Sequence, residues 1–161
     1  MNKDIFSKKM EVIEGMFSFP ITNNTTKEVT GFYDVEPFPN YSNADNKLSI
    51  VGKGDSNPFY KKLKDFIGYN KSFIEVGAGT CQLSNYLAIG TNNQIFSLDP
   101  TLESIRLGKS FAIKNSISNV SFVRADIFDD VFYPESIDVV LCSGVLHHTK
   151  NPKKGFKIIC K

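Results

Sequence analysis

The sequence has few cysteines, little net charge and no long apolar run. Cys81, Cys142 and Cys160 form no CxxC pair, which argues against a zinc ribbon or a disulfide scaffold and fits a reducing cytoplasm. Nineteen Lys and Arg against seventeen Asp and Glu leave a net charge of +2, too weak a field to indicate a nucleic-acid partner. Apolar stretches are far shorter than the roughly 18 residues of a membrane span, and the first residues do not resemble a secretory signal. We therefore expect a cytoplasmic protein with no membrane or nucleic-acid partner and no metal site.

The 161 residues change in character near Pro58. Residues 1–57 are rich in Asn, Ser, Thr, Gly and Pro and keep no clean period, which predicts a loop-rich lead-in that covers a site rather than a domain. In residues 58–161, short apolar runs alternate with helical periodicity, which predicts βαβ units and an α/β domain with a mainly parallel sheet. The four predicted strands are Ser72–Val76, Gln94–Leu98, Val120–Val123 and Ile137–Cys142.

Polar residues and glycines stand where the predicted strands end, which is where open parallel sheets bind their ligands. Gly77 and Gly79 follow the first strand and permit a tight turn at which a ligand can approach bare backbone. Asp99 ends the second strand and Asp126 follows the third. A carboxylate in the position of Asp99 can accept hydrogen bonds from both hydroxyls of a ribose. A lone GxG is often a plain turn, but the two acidic residues favour a nucleoside site.

The glycine turn also bears on which nucleoside binds. A dinucleotide site would need a third glycine at position 82, which is Gln82. The carboxylate of Glu75 would repel a pyrophosphate and attract a ligand that carries an ammonium and a sulfonium. An NAD-dependent oxidoreductase is therefore the less favoured alternative.

Several segments resemble the class I S-adenosylmethionine-dependent methyltransferases. Phe73–Gln82 (FIEVGAGTCQ) is similar to the first motif of that family, E/D-x-G-x-G-x-G, with Cys81 in place of the third glycine. The resemblance covers residues 58–160 and is closest to enzymes that act on small molecules, with a looser likeness of the lead-in to an uncharacterised bacterial branch. The other matching segments are Ser97–Asp99, Val123–Asp126 and Ile137–Pro152.

The resemblance implies a Rossmann-like three-layer sandwich that binds S-adenosylmethionine and transfers its methyl group to a small-molecule acceptor by SN2 displacement. It also implies roles for eight residues: Glu75, Gly77 and Gly79 at the methionine part, Asp99 at the ribose, Asp126 and the backbone of Ile127 at the adenine, and Ser143 and Gly144 beside the methyl group. Of the two adjacent histidines, His148 is the candidate general base, because an imidazole titrates near neutral pH. The alternative is that it only hydrogen-bonds the start of the next helix.

The end of the sequence leaves two further questions open. The family has seven strands in the order 3-2-1-4-5-7-6, and this sequence supplies four, in the order 3-2-1-4, so we expect a truncated fold whose remaining strands are missing. The fourth strand would then be an exposed edge, which predicts aggregation or a homodimer through that edge.

A module that binds S-adenosylmethionine without transferring a methyl group, as a partner subunit, remains an alternative. The sequence has no [DN]-P-P-[YF] motif, so methylation of nucleic-acid bases is not expected.

Overall fold

A computed structural model describes residues 4–161. Within them, six strands form one mixed sheet in the order β1-β2-β5-β4-β3-β6. The strands are β1 (Glu11–Ile13), β2 (Met16–Ser18), β3 (Ser72–Val76), β4 (Gln94–Asp99), β5 (Val120–Arg124) and β6 (Val139–Cys142). The helices are α1 (Asn24–Val35), α2 (Lys47–Ser56), α3 (Pro58–Ile67), α4 (Gln82–Ala88), α5 (Leu102–Lys114) and α6 (Pro152–Ile159).

The central strands β5-β4-β3-β6 have the order and parallel pairing that the sequence predicts. Phe73 on β3 lies beside Ile95 on β4, and neither side chain is exposed to solvent. The inner strands β3, β4 and β5 are mostly apolar on both faces because both faces are covered, as is usual for parallel sheets. The bounds differ slightly: β4 and β5 each extend one residue beyond the prediction, to Asp99 and Arg124, and β6 begins at Val139 rather than at Ile137.

Buried side chains form two clusters, one on each face of the sheet. Phe73 belongs to one cluster and its neighbour Ile74 to the other, because successive side chains of a strand point to opposite faces. Helices α3, α4 and α5 cover the first face. The second face is covered by α6 and by residues 5–19, whose Phe6 ring lies 4.7 Å from that of Phe17.

The segment before Pro58 is more regular than the predicted loop-rich lead-in. It contains the β1–β2 hairpin, α1 and α2, and β2 pairs in parallel with β5, so the hairpin extends the sheet. The sequence does not show these elements because each strand has three residues, too few for a period, and because α1 carries Thr, Val and Gly, which are poor helix formers. Asn23 and Asn46 cap α1 and α2 by accepting backbone hydrogen bonds.

The opposite edge of the sheet is β6, which pairs only with β3 among the described residues. Val140 on this strand is 39% exposed, and a cavity of about 420 Å³ opens beside it between the sheet and α6. None of the helices in residues 4–161 has the length and hydrophobicity of a membrane span.

Candidate functional site

A cavity of about 480 Å³ opens at the carboxyl ends of β3, β4, β5 and β6. Its volume lies within the range of roughly 300–1,000 Å³ that is usual for small-molecule sites. All the residues predicted from the sequence line it: Glu75, Gly77, Gly79, Asp99, Asp126, Ile127, Ser143, Gly144 and His148. The parallel strands therefore bring together at one edge residues that are far apart in the chain.

The turn between β3 and α4 needs its glycines for two reasons. Gly77 and Gly79 have φ values of +75° and +52°, which side-chain-bearing residues rarely adopt. A Cβ at Gly77 would lie 2.1 Å from Cγ2 of Val145, and one at Gly79 would lie 2.6 Å from the carbonyl oxygen of Phe38. The turn thus presents bare backbone to the cavity while neighbouring segments pack closely against it.

Asp99 joins the glycine turn to the end of β4. Its Oδ2 accepts a 2.8 Å hydrogen bond from the backbone N–H of Gly79, and its Oδ1 accepts one of 2.8 Å from the N–H of Thr101. Its burial raises the pKa of Asp99, and the two N–H groups oppose that shift. The side chain of Thr101 also stabilises the charged form, and because a carboxylate can accept about four hydrogen bonds, capacity for a further donor remains. The sequence indicated Asp99 as a ligand residue but not its role in holding the turn.

Glu75 lies beneath the same turn and is positioned by α4. Its Oε2 accepts hydrogen bonds from the hydroxyl of Ser84 at 2.6 Å and from the N–H of Ser84 at 3.1 Å, whereas Oε1 accepts none from residues 4–161. Burial, and to a lesser degree the negative charge of Asp99, raise the pKa of Glu75 to about 7, although the hydrogen bonds from Ser84 oppose the shift. The carboxyl is therefore poised to ionise when a cation approaches.

Asp126 is buried, with 3% of its surface exposed. Its Oδ1 accepts a 2.9 Å hydrogen bond from the N–H of Phe128, which caps the short 3₁₀ helix Ile127–Asp129. Its Oδ2 accepts a hydrogen bond from the hydroxyl of Thr26 on α1. Local sequence patterns do not indicate this contact, because the two residues are 100 positions apart and Thr26 belongs to no motif.

The fourth side of the cavity follows β6. Ser143 and Gly144 are exposed there, and Gly144 has a φ of +72°. His148 lies in a 3₁₀ helix at the rim, and its ring centroid is 3.9 Å from that of His147, which does not line the cavity. No side chain in the described part of the chain hydrogen-bonds to the imidazole of His148, so its tautomer is not fixed by a partner.

The segment before Pro58, together with the start of α3, forms a wall of the cavity that the sequence did not resolve residue by residue. Side chains from α1, from the loop after it and from α2 and α3 line the space opposite the strand ends: Thr25, Thr26, Val29, Tyr33, Phe38, Lys53 and Tyr60. Most of these groups are apolar or aromatic, whereas the carboxylates stand on the sheet side.

The sequence of the domain matches a known family. Residues 67–161 match the model of a family described as a methyltransferase domain. The chain belongs to this methyltransferase family. The match includes the glycine turn, Asp99, Asp126 and the segment after β6, and hence the whole sheet side of the cavity.

Solved structures of methyltransferases have the same fold. Magnesium protoporphyrin IX methyltransferase from Synechocystis PCC 6803, solved with bound S-adenosylmethionine, superposes with a TM-score of 0.64 at 12% identity, over 88% of this chain and 73% of that one. The cyclase SpnF superposes with a TM-score of 0.60 at 15% identity, over 88% of this chain and 57% of that one. The fold is therefore that of the class I S-adenosylmethionine-dependent methyltransferases. Since one relative is a cyclase, this fold alone does not decide the reaction.

One curated relative extends well beyond the compared region. An uncharacterised protein of Synechococcus sp. is 23% identical over 147 residues, which are 86% of this chain and 35% of the relative. The chain thus spans about a third of the length of that relative.

Proposed function

We propose that the chain binds S-adenosylmethionine along the cavity and transfers the methyl group to a small molecule. The observation that carries the proposal is the geometry of Asp99, whose buried carboxylate stands at the end of β4 in the cavity and is held by two backbone N–H groups, one on each oxygen. A carboxylate in this position suits the hydroxyl donors of a ribose.

The other residues fit the remaining parts of the cofactor. Adjacent strands are about 4.8 Å apart, so the ends of β3, β4 and β5 span roughly 10 Å, a distance that suits an amino-acid tail, a ribose and a base in line. Glu75 suits the ammonium at one end, and Asp126 with the backbone of Ile127 suits the adenine at the other. Gly77 and Gly79 line the cavity between them and carry no side chain that would hold the cofactor away from the backbone.

The proposed mechanism depends mainly on alignment. When bound, S-adenosylmethionine supplies an electrophilic methyl group. Ser143 and Gly144 border the space in which the acceptor atom would stand, and α1 covers the opposite side and excludes water. Holding two reactants in line supplies most of the rate enhancement in such a displacement. His148 would accept the proton of an acceptor hydroxyl or amine at the rim of the cavity.

Calorimetry with S-adenosylhomocysteine, NAD and ATP tests the cofactor. We expect binding of S-adenosylhomocysteine alone. Binding of NAD without S-adenosylhomocysteine would overturn the proposal and favour an oxidoreductase.

A module that binds the cofactor without turnover is the second candidate. It is supported by the exposure of Ser143, Gly144 and His148, which leaves the acceptor side open in residues 4–161. Transfer of a labelled methyl group to compounds in a small-molecule extract would decide for the enzyme. If nucleic acid is offered in a parallel assay and only it becomes labelled, a small-molecule acceptor is contradicted.

Sedimentation analysis would test the expected homodimer through β6.

A further inference from the structure

Helix α1 crosses the cavity without being packed into the core. None of its twelve residues is buried, although Thr25, Thr26, Val29 and Tyr33 line the cavity. Helices are held in proteins mainly by the burial of an apolar face, and segments with few buried contacts open at low cost. α1 therefore forms a strap over the cavity that little apolar burial holds in place.

The strap is fixed at both ends. Before it, β2 pairs with β5, and the N–H of Phe19 donates a 2.9 Å hydrogen bond to the carbonyl of Arg124. After it, the hydroxyl of Tyr41 donates a 2.9 Å hydrogen bond to the carbonyl of Thr80, and the Tyr41 ring stacks on Phe111 at 4.6 Å. Opening would thus displace α1 between two fixed points.

Two polar contacts, one near each end of α1, hold the helix itself to the domain. At its carboxyl end, the N–H of Glu103 donates a long hydrogen bond of 3.4 Å to Asp34. At its amino end, the hydroxyl of Thr26 donates to the buried carboxylate of Asp126. Both acceptors are carboxylates, but the contact of Asp34 is long and exposed, whereas the carboxylate of Asp126 is buried. A hydrogen bond is stronger where water is excluded, so the contact of Thr26 is the main attachment.

We propose that Thr26 is a positioning residue that latches α1 over the nucleoside end of the cavity, so that the cofactor enters and leaves only when this hydrogen bond opens. The inference rests on the proposed function, which assigns Asp126 to the adenine. The same carboxylate would then hold the lid and one end of the ligand, and the lid would close where the base binds.

The test compares Thr26→Val, which removes the hydroxyl at nearly constant volume, with Thr26→Ser, which keeps it. Thr30→Val is the matched control on the same helix, because the Thr30 hydroxyl donates only to the carbonyl of Lys27, one turn earlier. Stopped-flow measurements with S-adenosylhomocysteine should show at least about tenfold faster dissociation from Thr26→Val, from the loss of one charge-assisted hydrogen bond. Thr26→Ser and Thr30→Val should keep the wild-type rate.

Amide hydrogen exchange without ligand provides an independent measurement. Amides of residues 24–35 should exchange faster in Thr26→Val than in the wild type and should be unchanged in Thr30→Val. If Thr26→Val changes neither the amide exchange of α1 nor the dissociation rate, the latch is overturned. Equal changes in Thr26→Val and Thr30→Val would overturn it too, because they would show an effect of helix propensity rather than of the hydrogen bond to Asp126. Failure of the wild type to bind S-adenosylhomocysteine would overturn the proposed function instead, while the exchange experiment would still test the latch.

Discussion

Cys81 and Gly108 fit together where the glycine turn meets α5. Cys81 replaces the third glycine of the family motif, has a left-handed backbone with φ of +60°, and is fully buried. A Cβ at Gly108 would lie 2.6 Å from the Cβ of Cys81 and 2.6 Å from the carbonyl oxygen of Thr80. The side chain of Cys81 therefore fits into the turn only because position 108 on α5 has no side chain.

Gly108→Ala should therefore destabilise the fold by about 1–3 kcal/mol, the usual cost of overpacking. Cys81→Gly should relieve part of that loss in the double variant, because the Cβ clash disappears while Thr80 remains. Urea unfolding measures both effects. The control is Gly52→Ala in α2, where an added Cβ meets nothing within 4 Å, and it should be neutral or slightly stabilising. Strictly additive effects of the two substitutions would contradict the pairing.

Asp99→Asn should weaken the binding of S-adenosylhomocysteine by about 1.5–3 kcal/mol, because hydrogen bonds to a charged acceptor become bonds to a neutral one. It should also loosen the ligand-free turn, since the N–H of Gly79 loses its carboxylate partner. Calorimetry and amide exchange measure these effects. Asp65→Asn, an exposed carboxylate on α3, should change neither, and unaltered affinity in Asp99→Asn would contradict the ribose assignment.

Gly79→Ala and Gly90→Ala separate backbone strain from crowding. Both glycines have positive φ values, so each substitution should cost about 1–2 kcal/mol of stability. Only at Gly79 does the new Cβ approach a neighbour, the carbonyl of Phe38 at 2.6 Å. We expect Gly79→Ala to lose ligand affinity and Gly90→Ala to retain it. Equal loss of affinity in both variants would mean that strain alone is responsible.

The stability of the ligand-free protein should fall as the pH rises from 4.5 to 7, owing to Glu75. Its pKa is about 7 in the fold against an ordinary 4.5, so the folded state binds the proton more tightly. The protonated Glu75 therefore contributes about 3 kcal/mol to the free energy of unfolding below pH 4.5, and this contribution is lost by about pH 7. Unfolding of Glu75→Gln should lack this pH dependence, whereas Asp138→Asn should keep it, because the pKa of Asp138 is lowered by its hydrogen bonds to Ser72.

Ligand affinity should depend on pH in the opposite direction. A bound ammonium favours the ionised Glu75 and lowers its pKa in the complex, so S-adenosylhomocysteine should bind more tightly as the pH rises towards 7. Calorimetry between pH 5.5 and 7.5 measures the trend. A wild-type affinity as flat as that of Glu75→Gln would place the ammonium elsewhere.

The sequence predicts the central sheet and the sheet side of the cavity because both depend on local patterns. Each of β3 to β6 has a mostly apolar centre, and residues that line the site stand at or just after its carboxyl end. The structure places Asp99 and His148 in the same cavity, as the sequence indicates, but their roles stay predictions.

The wall before Pro58 could not be predicted in the same way. Thr26 is of interest because its hydroxyl donates a hydrogen bond to Asp126, and no shared periodicity or motif connects the two residues in the sequence. Phe38 likewise matters because its carbonyl packs against Gly79. Contacts between distant segments leave no mark in the local sequence.

The parallel pairing of β2 with β5 has a consequence for the order of folding. Phe17 lies beside Val123, so the first strands acquire their partner only when more than a hundred further residues have been synthesised. Contacts of such large sequence separation form slowly because a long loop must close first. We expect the βαβ units to assemble first and the N-terminal segment to dock last, so that a nascent chain would expose the aromatic side chains of residues 5–19 until β5 is in place.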